Sequence, residues 1–356
     1  MYSNFYLIYY NILLIAVIVE SFSLQSIANS YIPIKKKVSN IGTFLVIVAL
    51  AIILGYRPGS TLFGDTIFYQ SSYENKIFAY DTEPVFNAIG RICSNLGFSV
   101  GIYLSIIAFF YILLPYLFLD KHLNSKWFSL LMIMASFSFL GYGVNGARNG
   151  LALSLIAYSF SFISVKGKVN WVMLLVCFFL ALGIHKSSML PICCMMLSLF
   201  VVKEVKTAIL IWLLCIPISF FGGSSLSPLF LGLGFDDRLD EYLLTTAFRT
   251  GFRWDFILYS MIPILLAYYI VYIKKVLVDR LYVVLINTYT LSNALWIIII
   301  NASFSNRFAY LSWFMYPIVF AYPLLKYKIL GNQRAKVGAF LFFYYLFTYV
   351  MLVNAY

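Results

Sequence analysis

Twelve apolar runs, each bounded by charged or turn-forming residues, decide what this 356-residue chain can fold into. They lie near 4–24, 41–56, 98–119, 127–145, 149–165, 170–184, 188–202, 207–222, 255–273, 281–302, 308–325 and 337–354. A helix needs about 20 apolar residues to cross the hydrocarbon of a bilayer. The runs 41–56, 170–184 and 188–202 are short, so they are the ones to be tilted or broken. The chain is 63% apolar and 11% charged, against roughly 25% charged in a soluble domain. No soluble fold of this length covers so much apolar surface with so few polar groups. The expectation is an all-α polytopic membrane protein, a single transmembrane domain over 1–356 with about 12 transmembrane helices.

Alternating the connections sorts the charges by side. One set of loops holds Lys35, Lys36, Lys37, Lys121, Lys126, Lys166, Lys168, Lys203, Lys206, Lys274, Lys275, Arg280, Lys326, Lys328, Arg334 and Lys336, which is 16 of the 25 basic residues. The positive-inside rule makes that set cytoplasmic and puts both termini outside. The other set balances nine basic residues against nine acids, so the net charge of +12 belongs to the inner loops. The basic balance therefore reports topology, and nucleic acid is not an expected partner. The N-terminus lacks a basic region and a small-residue cleavage site, so its first apolar run is expected to stay as a helix. Cys93, Cys177, Cys193, Cys194 and Cys215 mostly sit inside apolar runs and outline neither a disulfide framework nor a metal site.

Two outer connections are long, about 57–97 and 223–254. Loops beyond roughly 12–15 residues are usually functional or disordered, and the apolar content of these two argues against disorder. In the first, Pro84 suits an opening helical turn, and Val85, Phe86, Ile89, Ile92, Cys93 and Leu96 recur at helical spacing. The second opens on Gly222-Gly223-Ser224-Ser225 and predicts a short helix near 238–248. Both amphipathic segments are expected to lie on the membrane surface and wall off a cavity.

Of the nine outer basic residues, seven are arginine: Arg57, Arg91, Arg148, Arg238, Arg249, Arg253 and Arg307. Lysine is enough to hold a loop on one side. Arginine adds a planar fork that binds phosphate oxygens in pairs and stays charged where water is scarce. Arg57, Arg148, Arg253 and Arg307 are accordingly candidates for a phosphorylated ligand, beside the alternative that each snorkels to headgroups or pairs with an outer acid. His185, at the end of one short run, is a candidate proton acceptor or an interfacial histidine bonded to backbone; His122 falls in an inner loop, where a structural or incidental role is expected. Asp65 and Glu83 are the best outer carboxylates, as a base or as hydrogen-bond partners of hydroxyl groups, with helix capping the competing role and the favoured one for Glu83. The cluster Asp236, Asp237, Asp240 and Glu241 reads as a solvated loop, without the ligand spacing of a cation site.

Taken in order, Arg57 with Gly64-Asp65-Thr66 and Tyr69, Glu83-Pro84, Arg148, His185-Lys186-Ser187, Gly251-Phe252-Arg253-Trp254-Asp255 and Asn306-Arg307-Phe308 resemble the EpsG family over about residues 50–320. That family includes Wzy-type polymerases of O-antigen and capsule. The resemblance implies an architecture like that of C-type glycosyltransferases, in the inner membrane of a Gram-negative bacterium with its active site facing the periplasm. It implies transfer of a glycan from undecaprenyl diphosphate to the non-reducing end of another lipid-linked repeat unit, without a cofactor. The expected partners are those lipid-linked repeat units, the bilayer and a chain-length regulator of the Wzz type. On this reading Asp65, His185 and Arg253 are catalytic, Arg57, Arg148, Arg253 and Arg307 hold the diphosphate, and Tyr69, Glu83 and Asp255 meet sugar. The base is left open between carboxylate and histidine. A flippase or exporter and an O-antigen ligase are the rival classes; the scarcity of charge within the apolar runs favours an enzyme over a flippase.

Overall fold

Apolar runs with no polar partner nearby must satisfy their backbone internally, and in this chain they do so as helices throughout. The computed structural model describes residues 3–26, 40–60, 63–78, 83–123, 125–223, 251–302 and 305–353. The helices are α1 (Ser3–Ser26), α2 (Asn40–Gly55), α3 (Thr66–Glu74), α4 (Pro84–Asn95), α5 (Val100–His122), α6 (Lys126–Met134), α7 (Ala147–Ser159), α8 (Trp171–Ile184), α9 (Met189–Phe200), α10 (Val205–Gly222), α11 (Trp254–Tyr268), α12 (Arg280–Ile298), α13 (Ser305–Trp313), α14 (Tyr316–Lys326) and α15 (Gln333–Val353). A π-helical turn, Gly141–Asn145, leads into α7.

Each of the twelve apolar runs is helical over most of its length, the run 308–325 as two consecutive helices. Among the described residues six helical stretches are long and apolar enough to cross a membrane: Val100–His122, Val205–Gly222, Trp254–Ile273, Arg280–Ile298, Ser305–Lys326 and Gln333–Leu352. Shorter apolar helices run over Leu7–Ser23, Ile41–Gly55, Trp171–Ile184 and Lys186–Phe200. The run 127–145 is not one helix: α6 stops at Met134 and a short irregular stretch precedes the π turn. The long connection 57–97 contains α4 where the apolar spacing predicts it, and α3 besides. The helix expected near 238–248 lies outside the described residues, as do Arg238, Arg249 and the acidic cluster 236–241.

α12 is the axis of the bundle, buried on nearly every side and packed by α9, α10, α11, α13 and α14. Where lipid is as apolar as leucine, helices are joined by close packing and by hydrogen bonds between them. Asn293 of α12 supplies these at the centre. Its Oδ1 accepts from Trp212 Nε1 at 2.7 Å, and its Nδ2 donates to Ser260 Oγ at 2.9 Å and Ser312 Oγ at 3.0 Å. Ser260 Oγ also accepts from Trp313 Nε1 at 2.8 Å, so one buried cluster ties α10, α11, α12 and α13. α5 packs between α2 and α7, α7 against α8, and α1 along α15. The outward faces stay apolar, with Val172, Phe179, Leu214 and Phe221 each more than half exposed. Contiguous faces of that kind are covered by a partner phase, here acyl chains.

Candidate active site

The carboxylate of Glu83 is the centre of the site. Pro84 at the first position of α4 fixes where that helix begins, and Glu83 occupies its N-cap position. Its side chain makes no cap hydrogen bond, so the capping role favoured from sequence does not hold. Instead Oε2 accepts from Arg148 Nη1 at 2.5 Å, and Oε1 lies 2.6 Å from His185 Nδ1. Glu83 is 4% exposed. Burial pushes its carboxyl up, but the hydrogen bond and charge of His185 and those of Arg148 outweigh it and hold the group below the ordinary 4.5. The three residues form a chain Arg148–Glu83–His185 brought together from the start of α4, the start of α7 and the end of α8.

Close packing of α4 on α8 sets that geometry. At Gly183, a Cβ would sit 2.4 Å from Val85 Cγ2, so only glycine lets the start of α4 approach the end of α8, two residues from His185. On the Arg148 side, the guanidinium lies over the rings of Tyr69 and Phe86, 5.7 and 5.9 Å from their centroids. The π turn orients the same region: the Gly146 N–H reaches back five residues to the Gly141 carbonyl at 2.9 Å. Such turns recur at functional sites because they re-aim the residues that follow.

Arg148 and His185 line a cavity of about 450 Å³ together with Asp65, Tyr69, Asn145, Asn149, Asn306 and Arg307, while Glu83 lies behind them. Asp65 precedes α3 and its carboxylate does not cap that helix either; its N–H donates to Asn145 Oδ1 at 2.9 Å. Gly64, at φ +53°, makes the turn in which a side chain would strike Asn145. Tyr69 donates to the Asn145 carbonyl at 3.3 Å, and burial raises its hydroxyl. Ser187 donates to Asn149 Oδ1 at 3.1 Å. The ring nitrogen of His185 opposite Nδ1 makes no hydrogen bond among the described residues, and the ring lines the cavity. Arg307 reaches it from the first turn of α13.

Three expected members stand apart. Arg57 is 2% exposed and does not line the cavity. Its Nε donates to Thr66 Oγ1 at 2.7 Å, Nη1 to the Leu54 carbonyl at 2.5 Å and Nη2 to the Val144 carbonyl at 3.1 Å. It braces the end of α2, the start of α3 and the π turn from beneath. Arg253 and Asp255 form a two-bonded pair at 2.8 and 2.6 Å, and the guanidinium stacks 3.6 Å from the Phe256 ring centroid. Neither lines the cavity, although Arg253 lies within electrostatic reach of Tyr310, which does. Asn145, Asn149, Ser187 and Tyr310 are site residues that sequence reasoning passed over; Asn145 and Asn149 flank Arg148 three and one residue away, which is the signal that was there to find.

The arrangement offers a buried carboxylate that orients a histidine, guanidinium groups from two distant helices, and a second carboxylate across one polar cavity. Set beside known proteins, the chain matches the model of the EpsG family over residues 40–356. No curated protein and no solved structure matches it.

Proposed function

We propose, from the premise that the chain belongs to the EpsG family, the family of Wzy-type polymerase-like membrane proteins, that it joins oligosaccharide repeat units carried on a prenyl diphosphate. The Arg148–Glu83–His185 chain carries the proposal. A carboxylate on Nδ1 keeps the ring proton there and leaves Nε2 as a proton acceptor, the logic of a carboxylate–histidine pair. The hydroxyl of the acceptor sugar attacks the anomeric carbon of the donor. The new C–O bond forms as the bond to the diphosphate oxygen breaks, the proton passes to His185, and the electron pair leaves with the diphosphate.

Arg148 and Arg307 flank the leaving group, where fixed charge lowers the barrier most. Arg253 serves at the rim, where its charge meets the incoming lipid. Asp65 accepts from a sugar hydroxyl, Tyr69 offers its ring face, and Asp255 holds Arg253. Glu83 is a positioning residue, since both its oxygens are taken by protein, and Arg57 supports the site without touching substrate. The finer topology follows the sequence: about twelve spans in a bacterial inner membrane, with the cavity on the periplasmic side.

The test is a reconstituted reaction. Purified protein in nanodiscs, given lipid-diphosphate repeat units alone, is expected to produce a ladder of lengthening glycan, and alanine at Arg148 or Arg307 to abolish it. A folded wild-type protein that consumes no donor, or that only moves it between leaflets, would exclude polymerisation.

A further inference from the structure

The end of the bundle opposite Glu83 holds a second recess. α5 is 23 residues long, so its two ends are about 34 Å apart. Tyr103, in its first turns, stacks on Tyr73 beside the active-site loop. Its far end carries Lys121 and His122, which with Ser161, Ser164, Lys168 and Asn170 line a cavity of about 590 Å³.

Lysines that only fix topology need not border a common recess. Lys121 and Lys168, both exposed, do so, Lys121 held through its side chain and Lys168 through its backbone. Lys121 Nζ donates to the Ser161 carbonyl at 2.6 Å. Lys168 ends a tight turn in which the Ser164 N–H donates to the Lys168 carbonyl at 2.8 Å and the Lys168 N–H to Ser164 Oγ at 2.9 Å. That turn is fastened to the bundle by the Arg280 N–H, which donates to the Val165 carbonyl at 3.0 Å. The nearby acids are engaged elsewhere: Asp120 with Lys126 at 3.8 Å and Asp279 with Lys326 at 2.9 Å. Neither Lys121 nor Lys168 has a carboxylate partner among the described residues. His122 keeps a buried Nε2 without a hydrogen bond, an orphan that a ligand oxygen or a water would satisfy.

We infer that this recess binds the phosphate headgroup of an anionic phospholipid. A phosphate carries the charge and the acceptor oxygens that suit the ammonium groups of Lys121 and Lys168 and the hydroxyls of Ser161 and Ser164. The lipid source is favoured over a soluble phosphate by what borders the recess. Asn170 caps α8, whose next residue, Trp171, stacks on Phe200, and beyond it Val172, Val176 and Phe179 expose an apolar strip along which an acyl chain can lie. Tryptophan at that level marks the interface between headgroup and hydrocarbon.

The measurement is thermal stabilisation of the full-length protein in neutral detergent, titrated with dioleoylphosphatidylglycerol, dioleoylphosphatidylcholine or inorganic phosphate. Phosphatidylglycerol is expected to stabilise the wild type and the other two not. A lysine near anionic lipid is worth about a fivefold change in affinity, so Lys168→Gln should weaken the effect about fivefold and Lys121→Gln with Lys168→Gln about 25-fold. Lys168→Gln leaves the Lys121–Ser161 contact in place and guards against a folding defect. Lys336→Gln, on the same face but outside the recess, should change nothing. Undiminished binding by Lys168→Gln, or an equal loss in Lys336→Gln, would overturn the site. Equal stabilisation by inorganic phosphate alone would overturn the lipid assignment.

Discussion

Replacing Glu83 with glutamine changes one atom at the centre of the proposed machinery. The volume is kept, and the amide oxygen can still accept from Arg148. The amide nitrogen, however, presents hydrogens to His185 Nδ1, where the carboxylate now lies at 2.6 Å. Nδ1 must then accept, the ring proton shifts to Nε2, and Nε2 loses its capacity to take a proton from the acceptor sugar. A histidine locked in the wrong tautomer costs ~10⁴-fold in turnover, and a single acid–base contribution is worth at least ~10². Turnover should therefore fall about 10²- to 10⁴-fold, roughly 2.7–5.5 kcal/mol of barrier. Stability should fall less, by up to about 3 kcal/mol, the low end for breaking a buried pair, because the Arg148 side chain keeps 15% exposure. The assay is the initial rate of ladder formation in nanodiscs, on protein shown to be monodisperse by size exclusion. Adding Glu83→Gln to His185→Ala should cost nothing further, since the two act as one unit. A Glu83→Gln protein working within threefold of wild type, while Arg148→Ala and Arg307→Ala are inactive, would refute the histidine as base.

Three other outcomes follow from the geometry. Gly183→Ala places a methyl 2.4 Å from Val85 Cγ2, so it should part Glu83 from His185 and depress ladder formation at least tenfold (about 1.4 kcal/mol), with Val85→Ala restoring it; no rescue would mean that the contact does not set the site. Arg57→Met orphans the Leu54 carbonyl at about 1–3 kcal/mol, while the Val144 carbonyl keeps the Thr66 hydroxyl at 3.1 Å, and an unchanged melting point would contradict its role as a brace. A carboxylate held below its ordinary value contributes stability that is full above that value and lost as pH falls through the lowered one. The melting difference between wild type and Glu83→Gln should thus be constant at neutral pH and close below 4.5, and a difference unchanged at pH 3 would show that Glu83 is not the group responsible.

What the chain discloses in its letters is what depends on neighbours in sequence. Apolar runs fall on helices because backbone satisfaction in lipid is local, and α4 appears where Pro84 and its apolar spacing put it. Arginine over lysine at Arg148 and Arg307 pointed to the cavity they line. Glu83 was misread as a cap because its position before Pro84 is visible and its partners are not: Arg148 is 65 residues away and His185 is 102. Arg57 looked like a ligand-binding arginine for the same reason. Its acceptors are carbonyls left over where α2 ends and a π turn begins, and nothing in the residue types announces a π turn.

That π turn between Gly141 and Asn145 makes the site sensitive to counting as well as to chemistry. A π turn spends one more residue than an α turn, and every residue of a helix advances by about 100°. Deleting one residue there, with no named side chain altered, would let α-helix run straight through and swing Arg148 a quarter-turn or more around its axis. A survey of related chains for activity therefore has to respect the spacing from Gly141 to Arg148, since a chain can keep each polar letter of the cavity and still aim its guanidinium at the wall.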